Sequence, residues 1–265
     1  MNDHERVRVT RRGKVVLSTA TAAIAAAGLW SWAASGHEVK ADAHPATAPA
    51  TTPAAPAAAP PSPKPAGDGR IPGLDDATRK RIPAESRQVL VVTGRGPDSS
   101  DSTAVLYTRA AGSQLWQPGP SWPAHNAAHG WTPDHHYGDL RSPEGVFTLT
   151  GAGGKLPFPD AKLPYDHNGS FIASGNGVEG EPLAGAFDYV IGIDYNRVPG
   201  TSPLDPRRPL GAKKGGGVWL HVDHDGPTQG CVSLKPEVMR TLLRTLDPKL
   251  KPVVVMGPAA ARNHR

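Results

Sequence analysis

A sharp change of composition near residue 69 limits the part of this chain that can form a packed core. Residues 41–68 consist almost entirely of Ala, Pro and Thr. Such a segment has too few apolar side chains to offset the entropy of ordering, and its prolines favour extended polyproline II structure. We therefore predict a disordered linker over 41–68, one folded domain over 69–258 and a short C-terminal tail over 259–265.

The first 40 residues have the pattern of a secretory segment. Basic side chains are concentrated in residues 1–14, and the run 15–34 contains no charged residue. Because the positive flank precedes the uncharged run, we expect the N-terminus in the cytoplasm and the remainder outside, on the cell-wall side. The pattern favours an uncleaved membrane anchor. The Ala-Asp-Ala triplet at 41–43 keeps a cleaved signal peptide and a secreted protein as the alternative.

The charge of the folded part gives no indication of nucleic-acid binding. The whole chain has a formal net charge of +5, but much of the excess lies in the first 14 residues. Residues 69–265 contain 22 Lys and Arg against 19 Asp and Glu, which leaves a net charge of only +3. A nucleic-acid partner would require a concentrated basic surface, so none is expected.

Short β-type runs separated by turn residues dominate the part after residue 69, and they predict a mainly β domain with few helices. A single helix is expected near the end, where Val238, Leu242, Leu243 and Leu246 share one face and Ser233 is the predicted N-cap. No helix of ten or more residues separates successive strands, which disfavours a parallel sheet. The predicted strands are 88–93, 103–107, 146–149, 189–193, 218–222 and 253–256.

The segment 217–234 contains most of the reactive side chains. It presents His221 at the end of a predicted strand, then a Gly-Pro loop, then Gly230 and the chain's single cysteine, Cys231. A cysteine acts as a nucleophile when it is a thiolate, and a neighbouring imidazole can lower its pKa and accept its proton. The glycine lets the backbone approach a carbonyl substrate, and successive amides there form an oxyanion hole.

Two other interpretations of this segment are open. A lone cysteine is often a small buried apolar residue without reactivity. Alternatively, His221 and His224, with Asp223, Asp225 and Cys231, supply ligand types that zinc accepts. Strand alternation, however, predicts that the two imidazoles lie on opposite faces, which weakens the metal interpretation.

These residues resemble the L,D-transpeptidases of the YkuD type. That family's signature is a histidine at the end of a strand, a loop, and Ser/Thr-x-Gly-Cys, matched here by His221 and by Thr228-Gln229-Gly230-Cys231. Further similarity lies in 142–149, 189–197 and 215–221, and in all it covers about 88–257. With only ten positions between His221 and Cys231, the chain is most similar to the branch with a short His-to-Cys loop.

The resemblance implies a YkuD-like β-sandwich or barrel-like domain that acts on peptidoglycan stem peptides without a metal or other cofactor. It implies that Cys231 is the nucleophile, that His221 is the general base and acid, and that the amides of Gly230 and Cys231 hold the oxyanion. The expected reaction forms a thioester with release of D-Ala and then a 3→3 cross-link. A stem-peptide carboxypeptidase and a non-catalytic wall-binding module are the alternatives.

The chain also departs from the family pattern at positions around the signature. Gln229 and Ser233 differ from common family residues, so the substrate contacts made at those positions in the family do not carry over. Val222 has no hydroxyl to orient an imidazole, so the group that orients His221 is either a backbone carbonyl or Asp223. The resemblance suggests substrate-binding or orienting roles for His224, Asp223, Thr228, Ser233, Arg141, Tyr195 and Arg197. His135 and His136 could line a cleft, but adjacent loop histidines are usually solvated, and we expect that here. Tryptophans in a small β domain belong mostly to the core, as expected here of Trp116, Trp122 and Trp131.

Overall fold

The computed structural model describes residues 69–259. The predicted N-terminal segment and linker, 1–68, and nearly all of the predicted tail lie outside the described residues. Within residues 69–259, no helix is long and apolar enough to cross a membrane.

Strands dominate the described part of the chain, and the prediction of a mainly β domain is confirmed. The two α-helices among these residues are α1 (Asp76–Arg81) and α2 (Pro236–Thr245), and short 3-10 turns lie at Ala212–Lys214 and Pro248–Leu250. The strands are β1 (Gln88–Gly94), β2 (Asp101–Thr108), β3 (Gln117–His125), β4 (Trp131–Thr132), β5 (Ser142–Pro143), β6 (Gly145–Thr148), β7 (Gly151–Gly154), β8 (Tyr165–His167), β9 (Val190–Gly192), β10 (Trp219–Val222), β11 (Val232–Leu234) and β12 (Val253–Pro258).

Ten of these strands form one mixed sheet in the order β6-β12-β1-β2-β3-β11-β10-β9-β7-β8, while β4 and β5 form a separate pair. Most neighbours in the large sheet are antiparallel, but β1 with β12, β10 with β11, and β7 with β8 are parallel. The sheet is therefore mixed and mostly antiparallel, in agreement with the expectation that a parallel sheet is disfavoured. The loop 223–231 carries the chain from β10 back to the start of β11 without a helix. The number of helices in the sequence therefore does not predict that β10 and β11 are parallel.

The main core forms because several strands are apolar on the side that faces it. Leu90 and Val92 of β1 meet Leu220 of β10 and Val232 of β11 in one buried cluster. Strands far apart in the sheet order thus contribute to a common core. Helix α2 covers this core with Val238, Leu242 and Leu243 of its predicted apolar face and with Met239. The fourth predicted residue, Leu246, is buried at the C-cap.

The predicted cap of α2 was wrong. Lys235 occupies the N-cap position without a side-chain hydrogen bond, and Pro236 begins the helix. Ser233 belongs to β11 instead, where its hydroxyl donates to Asp223. Leu234 and Lys235 therefore separate Ser233 from the first residue of the helix, and its hydroxyl is too far away to bond the first-turn amides.

A second, smaller cluster lies on the other side of β1, β2 and β12. Alternation places Val89 and Val91 of β1 here, beside Val253 and Val255 of β12. Ile71, which is 2% exposed, packs on this cluster together with the partly buried Leu74 and Ile82. The segment 69–87 therefore belongs to the folded domain because it covers an otherwise exposed apolar sheet face.

Candidate active site

The parallel pair β10 and β11 positions the histidine and the cysteine of the signature. Leu220 is paired with Val232, and His221 with Ser233. This register sets Cys231, the residue before β11, beside Trp219, whose amide donates to Cys231 Sγ over 3.4 Å. Since alternate residues of a strand share a face, Trp219 and His221 project to the same side of β10 as the thiol.

The thiol of Cys231 is held by weak contacts in a half-buried position. Its Sγ lies 3.5 Å from the carbonyl oxygen of Gly217, to which the S–H donates. The carbonyl of Cys231 accepts from Thr228 Oγ1 at 2.7 Å and from Ser142 Oγ at 3.1 Å. Burial raises the pKa of the Cys231 thiol to about 11, so the resting side chain is protonated at neutral pH. The sequence analysis expected a neighbouring imidazole to lower this pKa, whereas burial raises it.

The ring of His221 is held by one hydrogen bond and by contacts with two neighbouring rings. Nδ1 donates to the backbone carbonyl of Val222 at 2.9 Å, which leaves Nε2 of the neutral ring as the proton acceptor. Phe187 meets the ring edge-to-face at 5.5 Å, and His224 stacks on it at 5.6 Å. Burial lowers the pKa of His221 to about 4, so the imidazole is neutral and able to accept a proton at pH 7.

The stacking of His221 on His224 overturns the expectation that these rings lie on opposite faces. Strand β10 ends at Val222, so alternation no longer applies at His224. The left-handed backbone of Asp225, with φ of 61°, turns the chain directly afterwards. His224 Nδ1 lies 3.2 Å from Glu181 Oε1, although neither atom has a hydrogen-bond partner among the described residues.

Asp223 and Ser233 contact each other in a separate set of hydrogen bonds. Asp223 Oδ1 accepts from Ser233 Oγ at 2.8 Å and lies 2.9 Å from His125 Nδ1. Burial alone would raise the pKa of Asp223, but the hydrogen bonds from His125 and Ser233 hold it below its usual value. The hydrogen bond between His125 and Asp223 also raises the pKa of His125. This carboxylate thus joins β3 to β10 and β11, while the carbonyl of Val222 bonds to His221.

A cavity of about 370 Å³ opens in front of the thiol, and we call it the Cys231 cavity. Cys231, His221 and His224 line it together with Thr228 and Gly230. The amide of Gly230 donates to Thr228 Oγ1 over 3.3 Å, a long bond that a developing oxyanion can replace. Other walls are apolar or glycine-rich and include Val178, Leu183, Ala186, Phe187, Gly215, Gly216, Gly217 and Val218.

The structure places His135 in the cavity wall, which was the less favoured of the two sequence-based alternatives for this residue. It is 6% exposed, lines the Cys231 cavity, and has Nδ1 3.0 Å from Asp139 Oδ1. Burial lowers the pKa of His135, an effect that Asp139 opposes. His136 is exposed as expected. In the sequence, the indication that the His135 ring could be held in place was Asp139, four positions later.

Three other candidates lie outside the lining of the Cys231 cavity. Arg197 is buried in an ion pair with Asp194 and donates to the carbonyl of Thr201. Tyr195 donates to the carbonyl of Lys214 at 2.9 Å, and its ring meets His135 edge-to-face at 5.3 Å. Arg141 contacts Asp98 and the carbonyl of Trp131. The structure therefore gives these side chains positions that support the walls and loops.

The remaining predictions concern metal ligands and tryptophans. Within residues 69–259, no group of three or more His, Cys, Asp or Glu side chains is arranged to hold a metal ion. Trp116 and Trp131 are buried, and Trp122 packs partly buried against the main core, as predicted.

The comparisons with known proteins identify the family of the chain. A search of curated proteins found no match. The family model described as YkuD, L,D-transpeptidase catalytic domain, matches residues 75–255, which is more than half of the 265-residue chain. The match includes β1 to β11, both helices and the whole of the Cys231 cavity. This chain therefore belongs to the YkuD family of L,D-transpeptidase catalytic domains.

Proposed function

We propose that this protein forms 3→3 cross-links between peptidoglycan stem peptides through a thioester on Cys231. The observation that carries the proposal is that Cys231 and His221 line one cavity within a YkuD catalytic domain. The family membership supports an acyltransferase that acts on peptidoglycan, and this substrate lies outside the cytoplasmic membrane. The spacing of ten positions between His221 and Cys231 supports the short-loop branch.

In the first half-reaction, Cys231 Sγ attacks the carbonyl that joins the L-centre of the diamino acid to the terminal D-Ala. Nε2 of His221 accepts the thiol proton during this attack and passes it to the amine of the departing D-Ala. The amides of Gly230 and Cys231 stabilise the oxyanion, and losing one such donor typically raises the barrier by about 3 kcal/mol. The products are free D-Ala and a thioester on Cys231.

In the second half-reaction, the side-chain amine of a neighbouring stem peptide attacks the thioester. His221 accepts a proton from this amine and returns it to the sulfur as the C–S bond breaks. Because burial keeps both the resting thiol and the resting imidazole neutral, the thiol proton moves to His221 in the first half-reaction as Sγ attacks, instead of before the attack. This differs from a stable thiolate and imidazolium pair.

Product analysis with a purified disaccharide-tetrapeptide tests the proposal. The full-length protein should release D-Ala and yield a cross-linked dimer that lacks one D-Ala, detected by mass spectrometry. Cys231→Ala should abolish both products. Tripeptide monomer without dimer would replace the proposal with a carboxypeptidase, and unchanged substrate with both proteins would favour the wall-binding module.

A further inference from the structure

His224 and Glu181 form a buried pair at the Cys231 cavity that the reaction described above does not use. His224 lines the cavity, and its side chain is only 4% exposed. Its Nδ1 lies 3.2 Å from Oε1 of Glu181, whose side chain is 11% exposed. Neither atom has a hydrogen-bond partner among the described residues. A proton on the ring would give this carboxylate a counter-charge, so the pair can stabilise an imidazolium at His224.

The carboxylate of Glu181 is held against His224 by a close-fitting backbone. Glu181 belongs to the loop 175–183, which the Gly177 amide closes by donating to the Glu181 carbonyl at 2.7 Å. A Cβ on Gly177, or on Gly226 in the loop of His224, would collide with the Glu181 carboxylate. The second carboxylate oxygen accepts from a backbone amide of the same loop at 2.9 Å. Two glycines therefore leave the space that this carboxylate fills, and its position is fixed.

The other nitrogen of His224 is open to the cavity. The rings of His224 and His221 are stacked, with centres 5.6 Å apart and planes within 9°. In both rings Nδ1 faces the protein, because that of His221 bonds to the Val222 carbonyl and that of His224 meets Glu181. Within residues 69–259, His224 Nε2 has no hydrogen-bond partner, and unlike Nδ1 it is not a buried atom. It can therefore accept a proton from a molecule in the cavity.

The second half-reaction needs one proton acceptor more than the first. The acceptor is an alkyl amine with a pKa of about 10.4, so it reaches the cavity as an ammonium ion. An ammonium has no lone pair and must lose one proton before it attacks the thioester. A second proton leaves the nitrogen during the attack, and this is the proton that His221 returns to the sulfur. Since His221 handles the second proton, the first requires another base.

We propose that His224, with Glu181 behind it, accepts the first proton and so activates the acceptor amine, an inference that rests on the proposed cross-linking reaction. The ammonium gives a proton to His224 Nε2 and keeps a lone pair, while the Glu181 carboxylate balances the new imidazolium. The amine then attacks the thioester, and the amide and the free thiol form as the second proton passes through His221. The proton on His224 afterwards returns to solvent. His224 is thus a catalytic residue of the second half-reaction, and Glu181 is a positioning residue.

The stacking of the two imidazoles suits this order of events. Burial is the main cause of the low pKa of His221, and a charge on His224 lowers that pKa further. A proton on His224 therefore favours the return of the other proton from His221 to the sulfur. Besides His221, the titratable groups that face His224 are Glu181 from the loop 175–183 and Asp223 from its own loop, and Asp223 is ionised at neutral pH. Cys231 carries the acyl group at this stage and does not titrate.

The pH dependence of cross-linking by the full-length protein tests this inference, with a purified disaccharide-tetrapeptide as both donor and acceptor. Between pH 7.5 and 9, the wild-type initial rate of dimer formation should change by less than about threefold, because a neutral imidazole removes the extra proton. In His224→Gln the amine must first lose that proton to solvent. Its rate should be about tenfold or more lower at pH 7.5 and should rise about tenfold per pH unit. Intact-mass spectrometry should show the thioester accumulating on Cys231.

Glu181→Gln keeps the inference testable if His224→Gln does not fold, because it removes the charge and leaves both imidazoles in place. Dimer formation should again fall about tenfold at pH 7.5 and recover toward pH 9. Glu179→Gln is the matched control, since it makes the same change at an exposed position of the same loop that does not line the cavity. Its pH profile should match that of the wild type.

Three outcomes would overturn the inference. The first is equal pH profiles for Glu181→Gln and Glu179→Gln. The second is a parallel loss of D-Ala release and dimer formation in Glu181→Gln, since this would make the contact with His224 a purely structural one. The third is a wild-type protein that forms no thioester on Cys231. That outcome would overturn the proposed function itself, whereas the first two leave the thioester reaction of Cys231 standing.

Discussion

The thiol of Cys231 should react slowly with alkylating agents at neutral pH and faster as the pH rises. Burial raises its pKa to about 11, and the thiolate is the reactive form. Below that pKa the thiolate fraction grows about tenfold per pH unit, so the rate of reaction with iodoacetamide should climb with this slope from pH 6 to above pH 9. Intact-mass spectrometry of the full-length protein measures the rate directly, since this chain has no other cysteine.

His221→Ala is the control for this measurement. A neutral imidazole with a pKa of about 4 does not hold a thiolate, so the variant should keep the steep pH profile of the wild-type protein. A plateau in the wild-type rate below pH 7 that disappears in His221→Ala would reveal a thiolate and imidazolium pair. That result would contradict the neutral resting state and the coupled proton transfers derived from it.

At the residue scale, the sequence indicated Cys231 and His221 because they lie in one short motif. For His135 it favoured a solvated position over a cleft position, because this residue comes from a loop almost a hundred positions earlier and reaches the cavity only through folding. Nor could spacing identify Val222 as the partner of His221, since any residue provides a backbone carbonyl. These contacts depend on where the chain turns in the fold, and a short motif does not predict those turns.

At the scale of elements, two glycines should respond differently to the addition of one methyl group. Gly215 has φ of +65°, and a Cβ there would lie 2.8 Å from His135 Nε2. At Gly230 the backbone is not left-handed, and the nearest atom of the same ring would lie at 3.5 Å, an ordinary contact. We expect Gly215→Ala to lower the free energy of unfolding by about 1–3 kcal/mol, and Gly230→Ala by less than about 1 kcal/mol. Urea denaturation of both variants provides the comparison.

A double-mutant cycle separates the two causes of strain at Gly215. Replacing His135 by Ala removes the clash but leaves the left-handed backbone, which costs an alanine about 1 kcal/mol. The effect of Gly215→Ala should therefore be smaller in the His135→Ala protein than in the wild type. An equal effect in both proteins would show that His135 does not pack against Gly215 in solution.

The strands were easier to predict than their partners. Each of the six predicted strands overlaps an observed one, because short β-branched runs between turn residues are a local signal. The pairing of β10 with β11 depends on how the loop 223–231 returns, and it is parallel despite the short connection. The prediction that Ser233 caps α2 was wrong for the same reason. Strand β11 extends through Ser233, and the Ser233 hydroxyl donates to Asp223.

At the scale of the whole molecule, the segment 69–87 shows how the boundary of the domain is set by burial. The outer face of β1, β2 and β12 is apolar, and Ile71, Leu74 and Ile82 cover it. The sequence placed the start of the folded domain near residue 69 by composition alone. It did not assign a role to 69–87, because the apolar residues there are too few and too irregularly spaced to predict their packing partners.

Truncation of Ile71 to Ala should lower the free energy of unfolding by about 2–4 kcal/mol, because the side chain is 2% exposed and its loss leaves a cavity beneath the segment. Leu115→Ala is the matched control: it removes a branched apolar side chain of the same size from a site that is 54% exposed, and it should change stability by less than about 0.5 kcal/mol. Urea denaturation followed by tryptophan fluorescence measures both. Similar midpoints for the two variants would mean that Ile71 does not cover the sheet in solution. Thioester formation on Cys231 should remain in Ile71→Ala, because Ile71 does not line the Cys231 cavity.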